Sequence, residues 1–230
     1  PTIVYDKNGD GYLLFGSLFG TLYAKTILDA LGDTPTLSEI RQMGALGAPY
    51  PFVLYSDLYD HKDFLRGVAN SGFSGILWTP EFRDAPDRDV CIRRVQAIVF
   101  SVQCLINAWY YDGIPWVGHG CEDEVRELLK LREKLIPMLK KAFEEYHTTG
   151  KPPVRALVMD YTDDAETYKI DNQWLFCDDL LVAPIAAGAG DERDVYLPTA
   201  EKWVDYFTGE PVESGWHHVS TKGIPVYKKV

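Results

Sequence analysis

Apolar residues recur at three- and four-residue steps in several long stretches, which is the pattern of helices with one buried face. The helices predicted in this way are Leu14–Leu31, His61–Asn70, Asp89–Ile106 and Glu122–His147. Two shorter runs, Phe52–Tyr55 and Gly75–Trp78, are continuously apolar, as expected of strands buried on both faces. This alternation predicts a parallel α/β arrangement, either a small open sheet or part of an eight-stranded barrel.

The pattern changes after the long helix, where Gly150 and two prolines are expected to end it. Short β-type runs follow, broken by glycine and proline. They are Arg155–Met159, Leu180–Val182, Val195–Leu197 and Ile224–Tyr227. We therefore expect a β-sheet segment that begins near residue 180.

Composition and charge exclude some classes of partner. The chain is 46% hydrophobic and 25% charged, as in ordinary globular domains, and its net charge is −11. Nucleic acids and anionic membranes are bound by surplus Lys and Arg, so we expect neither as a partner, whereas a neutral sugar is compatible with an acidic protein. No apolar run reaches the length of about 18 residues that is typical of a membrane-spanning helix. The localisation stays unknown, with a lean towards the cytoplasm.

The cysteines Cys91, Cys104, Cys121 and Cys177 are widely spaced and form no Cys-x-x-Cys pair. This spacing argues against a metal site and against a disulfide framework, so buried free thiols are expected.

Acidic residues follow both predicted buried strands. Asp57 ends the run Tyr55-Ser-Asp57, and Glu81 ends Trp78-Thr-Pro-Glu81. Working residues of a barrel lie at the carboxyl ends of its strands, where partial burial raises the pKa of an acid towards the range useful for proton donation. Hydrolysis of a glycosidic bond needs two carboxyl groups. The alternative role of Asp57, capping the next helix, suits Asp60 better, because Asp60 immediately precedes that helix.

Several blocks of sequence resemble glycoside hydrolase family 31, whose members cleave α-linked sugars. The blocks are Arg41–Gly47, Tyr55–Asp57, Gly72–Gly75, Ile170–Pro184, Arg193–Pro198 and Trp203–Gly209. The resemblance implies an α/β fold, the second half of a (β/α)8 TIM barrel, followed by a β-sandwich segment. It divides the chain into residues 1–178, the C-terminal portion of the catalytic barrel, and residues 179–230, the start of the C-terminal β-sandwich domain.

The resemblance also implies a retaining α-glycoside hydrolase that acts by double displacement without a metal or organic cofactor. Asp57 falls on the acid/base, and Arg41 on the arginine that approaches the sugar. The nucleophilic Asp is expected before Tyr5, upstream of Pro1, so Asp6 and Asp10 are not assigned that role. The partners expected are an α-linked oligosaccharide or glycoside and the N-terminal remainder of the enzyme, without which this piece should be inactive; a homo-oligomer is left open.

The chain departs from the family pattern around the sugar. Thr79–Arg83 replaces the family's His-Asp-x-Gly-Gly-Phe loop, which makes Glu81 the nearest acid, and Asn107 stands where the family has a histidine. Glu81 is interpreted as a ligand of sugar hydroxyls or as the partner of Arg83 or Arg94. Trp78 and Trp109 are expected either to wall the pocket or to pack in the core. These departures keep a second function open, that of a non-catalytic carbohydrate-binding or scaffold homologue.

Overall fold

The computed structural model describes residues 2–5, 11–14, 16–34, 39–41, 45–107 and 111–230. The described chain begins with an antiparallel hairpin of β1 (Thr2–Tyr5) and β2 (Gly11–Leu14). The predicted polar turn that contains Asp6 and Asp10 lies outside the described residues.

A parallel sheet with neighbouring helices forms the first part of the fold. Its strands are β3 (Glu39–Ile40), β4 (Val53–Ser56) and β5 (Trp78–Pro80), in that order and all parallel. A parallel bridge between Phe82 and Ile106 continues the same direction. The helices of this part are α1 (Gly16–Leu31), α2 (His61–Asn70), α3 (Arg88–Val99), α4 (Pro115–Gly118) and α5 (Glu122–Thr149).

Local signals account for the bounds of α2. The Asp60 carboxylate accepts hydrogen bonds from the backbone N–H groups of Lys62 and Asp63 at 2.9 and 3.0 Å, which confirms the predicted cap. Phe64, Leu65 and Val68 lie on its buried face. Asp57 is therefore not needed to begin this helix.

The helix predicted to reach Ile106 ends at Val99, so that prediction is wrong at its C-terminus. The carbonyls that would have continued the helix find tertiary partners. Trp174 donates its indole N–H to the Phe100 carbonyl at 2.9 Å, and Arg132 donates to the carbonyls of Ser101 and Val102 at 2.7 and 3.0 Å. These bonds satisfy buried acceptors without a helix.

Helix α5 is the longest helical element that the structure describes, with 28 residues, and Gly150 follows it at φ = 79°. A residue with a side chain rarely adopts this left-handed conformation, which explains why a glycine stands at the end of the helix. Leu135 and Leu139 of α5 pack into the main apolar core together with residues of α2 and α3.

A β-sandwich forms the last part of the fold. It contains β6 (Val154–Ala156), the short helix α6 (Leu157–Asp160), β7 (Trp174–Phe176), β8 (Leu180–Val182), β9 (Glu192–Leu197), β10 (Trp203–Asp205), β11 (Pro211–Val212), β12 (Gly215–Ser220) and β13 (Val226–Lys229). One antiparallel sheet has the order β11-β10-β13-β8-β7-β6, and β12 and β9 form the second. A second apolar core includes Leu181, Val195, Leu197 and Trp203 from both sheets. The fold is thus α/β with a β-sandwich.

Two details of the sandwich differ from the sequence-based expectations. The predicted strand Arg155–Met159 is only β6 followed by the turn of α6. The six-stranded sheet takes β6 and β7 from before residue 178, so its pairing begins earlier in the chain than residue 180. The predicted domain division after residue 178 stays a prediction.

Arg93 joins the helical part to the sandwich. Its side chain is 2% exposed and pairs with Asp191 at 2.7 Å, and it donates to the carbonyls of Gly190 and Gly223 at 3.3 and 3.2 Å. A buried guanidinium needs such a full set of acceptors. Asp191 and the two carbonyls belong to loops of the sandwich that flank β9 and β13.

Candidate active site

Four polar residues follow neighbouring parallel strands. Arg41 comes directly after β3, Asp57 after β4 and Glu81 after β5, and Asn107 follows the bridge at Ile106. The carboxyl ends of parallel strands meet at one edge of a sheet, and this edge is where α/β proteins place their sites. The structure therefore brings together Arg41, Asp57, Glu81 and Asn107, which we call the strand-end cluster.

Arg41 and Asp57 form an ion pair in this cluster. The Arg41 guanidinium also lies over the ring of Tyr55, 5.1 Å from its centroid, and the Tyr59 hydroxyl lies 3.4 Å from the Asp57 carboxylate. The hydrogen bond from Arg41 lowers the pKa of Asp57 below its ordinary value, and this effect outweighs the opposing effect of burial. The sequence-based expectation of a raised pKa is wrong for this conformation, because the arginine stabilises the charged form.

Glu81 is the more buried acid, with 3% of its surface exposed. Asn107 donates its amide N–H to the Glu81 carboxylate at 2.7 Å. Burial raises the pKa of Glu81, and hydrogen bonding to Asp57 raises it further, whereas the bond from Asn107 acts in the opposite direction. Burial thus favours the protonated form of Glu81, whereas the Arg41 guanidinium favours the ionised form of Asp57.

The loop that carries Asp57 is held by residues that the sequence analysis did not assign to the site. Arg94 is buried and donates to the backbone carbonyls of Leu58, at 3.1 Å, and Tyr59. Arg83 donates to the Tyr59 hydroxyl and lies over its ring. The two arginines proposed as alternative partners of Glu81 thus bind the loop after β4. Arg83 stands two residues after Glu81 in the sequence, but the acceptors of both arginines could not be found there, because backbone carbonyls carry no residue signature.

Trp78 lies on the helix side of β5. A Cβ atom placed on Gly67 of α2 would be 2.5 Å from Cη2 of its indole, and the indole N–H donates to the Ser56 hydroxyl at 3.1 Å. This placement supports core packing over a role in the pocket wall. Trp109 lies outside the described residues.

Within the described ranges, no group of three or more His, Cys, Asp or Glu side chains is close enough to hold a metal ion. The same part of the chain has no helix of the length and apolarity required to cross a bilayer. Cys91, Cys121 and Cys177 are buried free thiols, as predicted, whereas Cys104 is free but only half-buried. The geometry thus defines a carboxylate site at the edge of a parallel sheet, held by arginines.

Comparison with known proteins connects this geometry to a family. A family model described as the glycosyl hydrolase family 31 C-terminal domain matches residues 150–230. The chain is 34% identical over 119 residues to α-glucosidase 2 of Bacillus thermoamyloliquefaciens, covering 50% of this chain and 15% of that protein. It is 26% identical over 225 residues to an α-xylosidase of Emericella nidulans, covering 91% of this chain and 29% of that protein.

A solved structure agrees over nearly the same span. The crystal structure of a family 31 α-xylosidase from a soil metagenome, complexed with xylose, superimposes with a TM-score of 0.75 at 27% identity, covering 92% of this chain and 37% of that chain. Residues 150–230 thus match the C-terminal domain of glycoside hydrolase family 31, and the chain as a whole is similar in sequence and fold to glycosidases of that family. It spans 15% and 29% of the length of the two curated relatives.

Proposed function

We propose that this chain carries the acid/base residue of a retaining α-glycoside hydrolase, on the second half of a (β/α)8 barrel followed by a β-sandwich. The observation that carries the proposal is the position of Asp57 at the carboxyl end of β4, beside Arg41 and Glu81. The names of the relatives, α-glucosidase and α-xylosidase, support an α-linked glycoside as substrate. The half barrel is supported by three parallel strands in sequential order with α2 and α3 following β4 and β5.

Double displacement requires two carboxyl groups with different duties. In the first step Asp57 gives a proton to the glycosidic oxygen while a second carboxylate bonds to the anomeric carbon, and the sugar alcohol leaves. In the second step the Asp57 carboxylate takes a proton from water, the water oxygen bonds to the anomeric carbon, and the second carboxylate is released. From the family resemblance, that second carboxylate is predicted to precede Tyr5, and this stays a prediction.

Glu81 supplies the proton that Asp57 lacks in the free state. The lowered pKa of Asp57 and the raised pKa of Glu81 support this role, because they favour a proton on Glu81 when the pair holds one. Transfer of this proton from Glu81 to Asp57 loads the acid before the first step. The proton that Asp57 removes from water in the second step returns to Glu81, so the pair is restored after each cycle.

Arg41 controls when Asp57 can accept that proton. In the free protein the Arg41 guanidinium is committed to the Asp57 carboxylate. A sugar whose hydroxyl groups take these N–H donors removes the main cause of the lowered pKa, and the pKa of Asp57 rises towards the value useful for proton donation. Substrate binding and loading of the acid are thereby coupled.

Replacing Asp57 by asparagine in the full protein tests the assignment. Asp57→Asn should lower kcat/KM on a natural α-linked disaccharide by about 10²–10⁴-fold, because general acid catalysis is lost. It should spare formation of the glycosyl-enzyme from an activated aryl α-glycoside, whose leaving group needs no proton, and added azide should restore turnover by intercepting that intermediate. Asp63→Asn, the same change on the exposed first turn of α2, is the matched control and should keep normal activity. Normal disaccharide hydrolysis by Asp57→Asn refutes the assignment.

One observation favours the second candidate function, a non-catalytic carbohydrate-binding homologue. A carboxylate that its arginine keeps ionised is a poor proton donor, and the pKa of Asp57 is lowered in this conformation. The same aryl α-glycoside assay separates the two functions. Sugar binding without any glycosyl-enzyme burst from the unaltered protein supports the binding homologue, whereas a burst supports the hydrolase.

A further inference from the structure

A cleft of about 440 Å³ lies between α2 and the β-sandwich, away from the strand-end cluster. Lys62 and Arg66 of α2 line one side, Asp171 and Asn172 belong to the segment that precedes β7, and Trp216 of β12 forms another part of the wall. No residue of the strand-end cluster contributes to this lining. The volume falls within the range of about 300–1,000 Å³ that is usual for small-molecule sites.

Trp216 is held in a fixed position although 51% of its surface is exposed. Its indole N–H donates to the Glu166 carboxylate at 3.1 Å, and its ring contacts Tyr196, with a centroid distance of 5.2 Å and an angle of 48°. Tyr196 is itself buried and donates to Asp164 at 2.6 Å. The indole is therefore held by one hydrogen bond and one ring contact, while the rest of its surface is exposed to solvent. A large aromatic ring held in this way is a preorganised binding surface.

Four cationic and three acidic side chains line the cleft, namely Lys62, Arg66, Lys169 and Arg193 with Asp171, Glu192 and Asp194. Arg66 pairs with Asp171 at 2.8 Å, and Asp194 pairs at 2.9 Å with His218, which lies outside the lining. The guanidinium of Arg193 donates to the Asn172 side-chain oxygen at 2.9 Å. Because the two signs nearly cancel, the cleft has little net charge with which to attract an ionic ligand. Instead it offers planar carboxylate, amide and guanidinium groups, which suit the hydroxyl groups of a neutral ligand.

We propose that this cleft is a second carbohydrate-binding site, which takes a neutral α-linked gluco-oligosaccharide with the apolar face of one ring stacked on Trp216. The C–H groups of a pyranose face cover the indole, while its hydroxyl groups bond to Asp171 and Asn172 at the margin. This combination of one aromatic surface with a few polar groups that fix orientation is what a site for a neutral sugar requires. The choice of an α-linked glucan rests on the proposed function, whereas binding in the cleft does not depend on hydrolysis and is tested by binding alone.

The test is affinity electrophoresis of the full protein through gels that contain soluble starch or dextran, with titration calorimetry on maltohexaose and isomaltohexaose. The two polysaccharides distinguish α-1,4 from α-1,6 linkages. Trp216→Ala should weaken binding to the preferred glucan about tenfold, as expected for a central aromatic contact. Asn172→Ala changes an exposed position and should weaken the same binding without removing a packed side chain. This variant replaces Trp216→Ala as the test if Trp216→Ala does not fold.

Phe207→Ala is the matched control, because Phe207 is an equally exposed aromatic residue (54%) of the sandwich that lies outside this cleft. It should bind as the unaltered protein does. The inference is overturned if the unaltered protein binds neither glucan, if Trp216→Ala and Asn172→Ala bind as well as it does, or if Phe207→Ala loses binding to the same degree. Turnover of a small aryl α-glycoside should be unchanged in Trp216→Ala. If the unaltered protein shows no such turnover, the proposed hydrolase function fails, but the binding measurements still test the cleft.

Discussion

Replacing Gly67 by alanine tests where the indole of Trp78 lies. An added Cβ atom would be 2.5 Å from Cη2 and 2.9 Å from Cζ3 of Trp78, and 3.0 Å from Cδ1 of Leu58. Carbon atoms normally approach to about 3.5–4.0 Å, so the ring or the helix must shift. The indole is rigid and donates a hydrogen bond to the Ser56 hydroxyl, which limits how far it can move.

The expected loss follows from two opposing effects. Overpacking costs about 1–3 kcal/mol, and contacts this short belong in the upper part of that range. Alanine in a helix interior is more favourable than glycine by about 1 kcal/mol. The free energy of unfolding of Gly67→Ala should therefore fall by about 1–2 kcal/mol, measured by urea denaturation followed by circular dichroism.

The double variant with Trp78→Phe provides the control. Phenylalanine lacks both indole atoms that the new methyl group would meet, so Gly67→Ala should be neutral or stabilising by up to about 1 kcal/mol in that background. If Gly67→Ala costs as much in the Trp78→Phe background as in the unaltered protein, or if it stabilises the unaltered protein, the indole does not pack on α2. Its proposed role as a pocket wall would then return.

Two further changes test the buried charges. Glu81→Gln keeps an acceptor for Asn107 and removes the titrating carboxyl group. Because the folded-state pKa of Glu81 is raised, the unaltered protein should lose stability relative to this variant as the pH rises from the ordinary glutamate pKa of 4.5 through the raised one. Denaturation curves at several pH values measure this difference in stability, and a difference that is independent of pH contradicts the prediction. Arg155→Lys should lower the free energy of unfolding by about 2–3 kcal/mol, because lysine cannot replace the two bonds of 2.7 Å that the buried Arg155 makes to Asp160. The control Arg66→Lys changes an exposed ion pair and should alter the free energy of unfolding by less than about 0.5 kcal/mol. If urea denaturation shows equal effects of the two changes, the paired hydrogen bonds from Arg155 to Asp160 contribute little.

Helix α2 shows how far local signals reach. Its bounds, His61 to Asn70, and its cap, Asp60, were predicted correctly, because a capping carboxylate and a periodic apolar face act within one turn of the helix. Gly150 marked the end of α5 for a similar reason, since the left-handed conformation belongs to the residue itself. The end of α3 could not be found in this way, because the groups that bind the carbonyls of Phe100 and Ser101 come from Trp174 and Arg132.

The amino-acid sequence by itself determined which chemical groups stand at the strand ends, because the order of buried strands places Asp57 and Glu81 directly after them. Only the tertiary structure decided in which direction the pKa of each acid shifts. The ionisation of a carboxyl group depends on burial and on the charges within a few ångströms, and here these are the Arg41 guanidinium beside Asp57 and the enclosed position of Glu81 beside Asn107. Those neighbours lie on different strands, so their distances are fixed by the packing of the sheet and not by spacing along the chain.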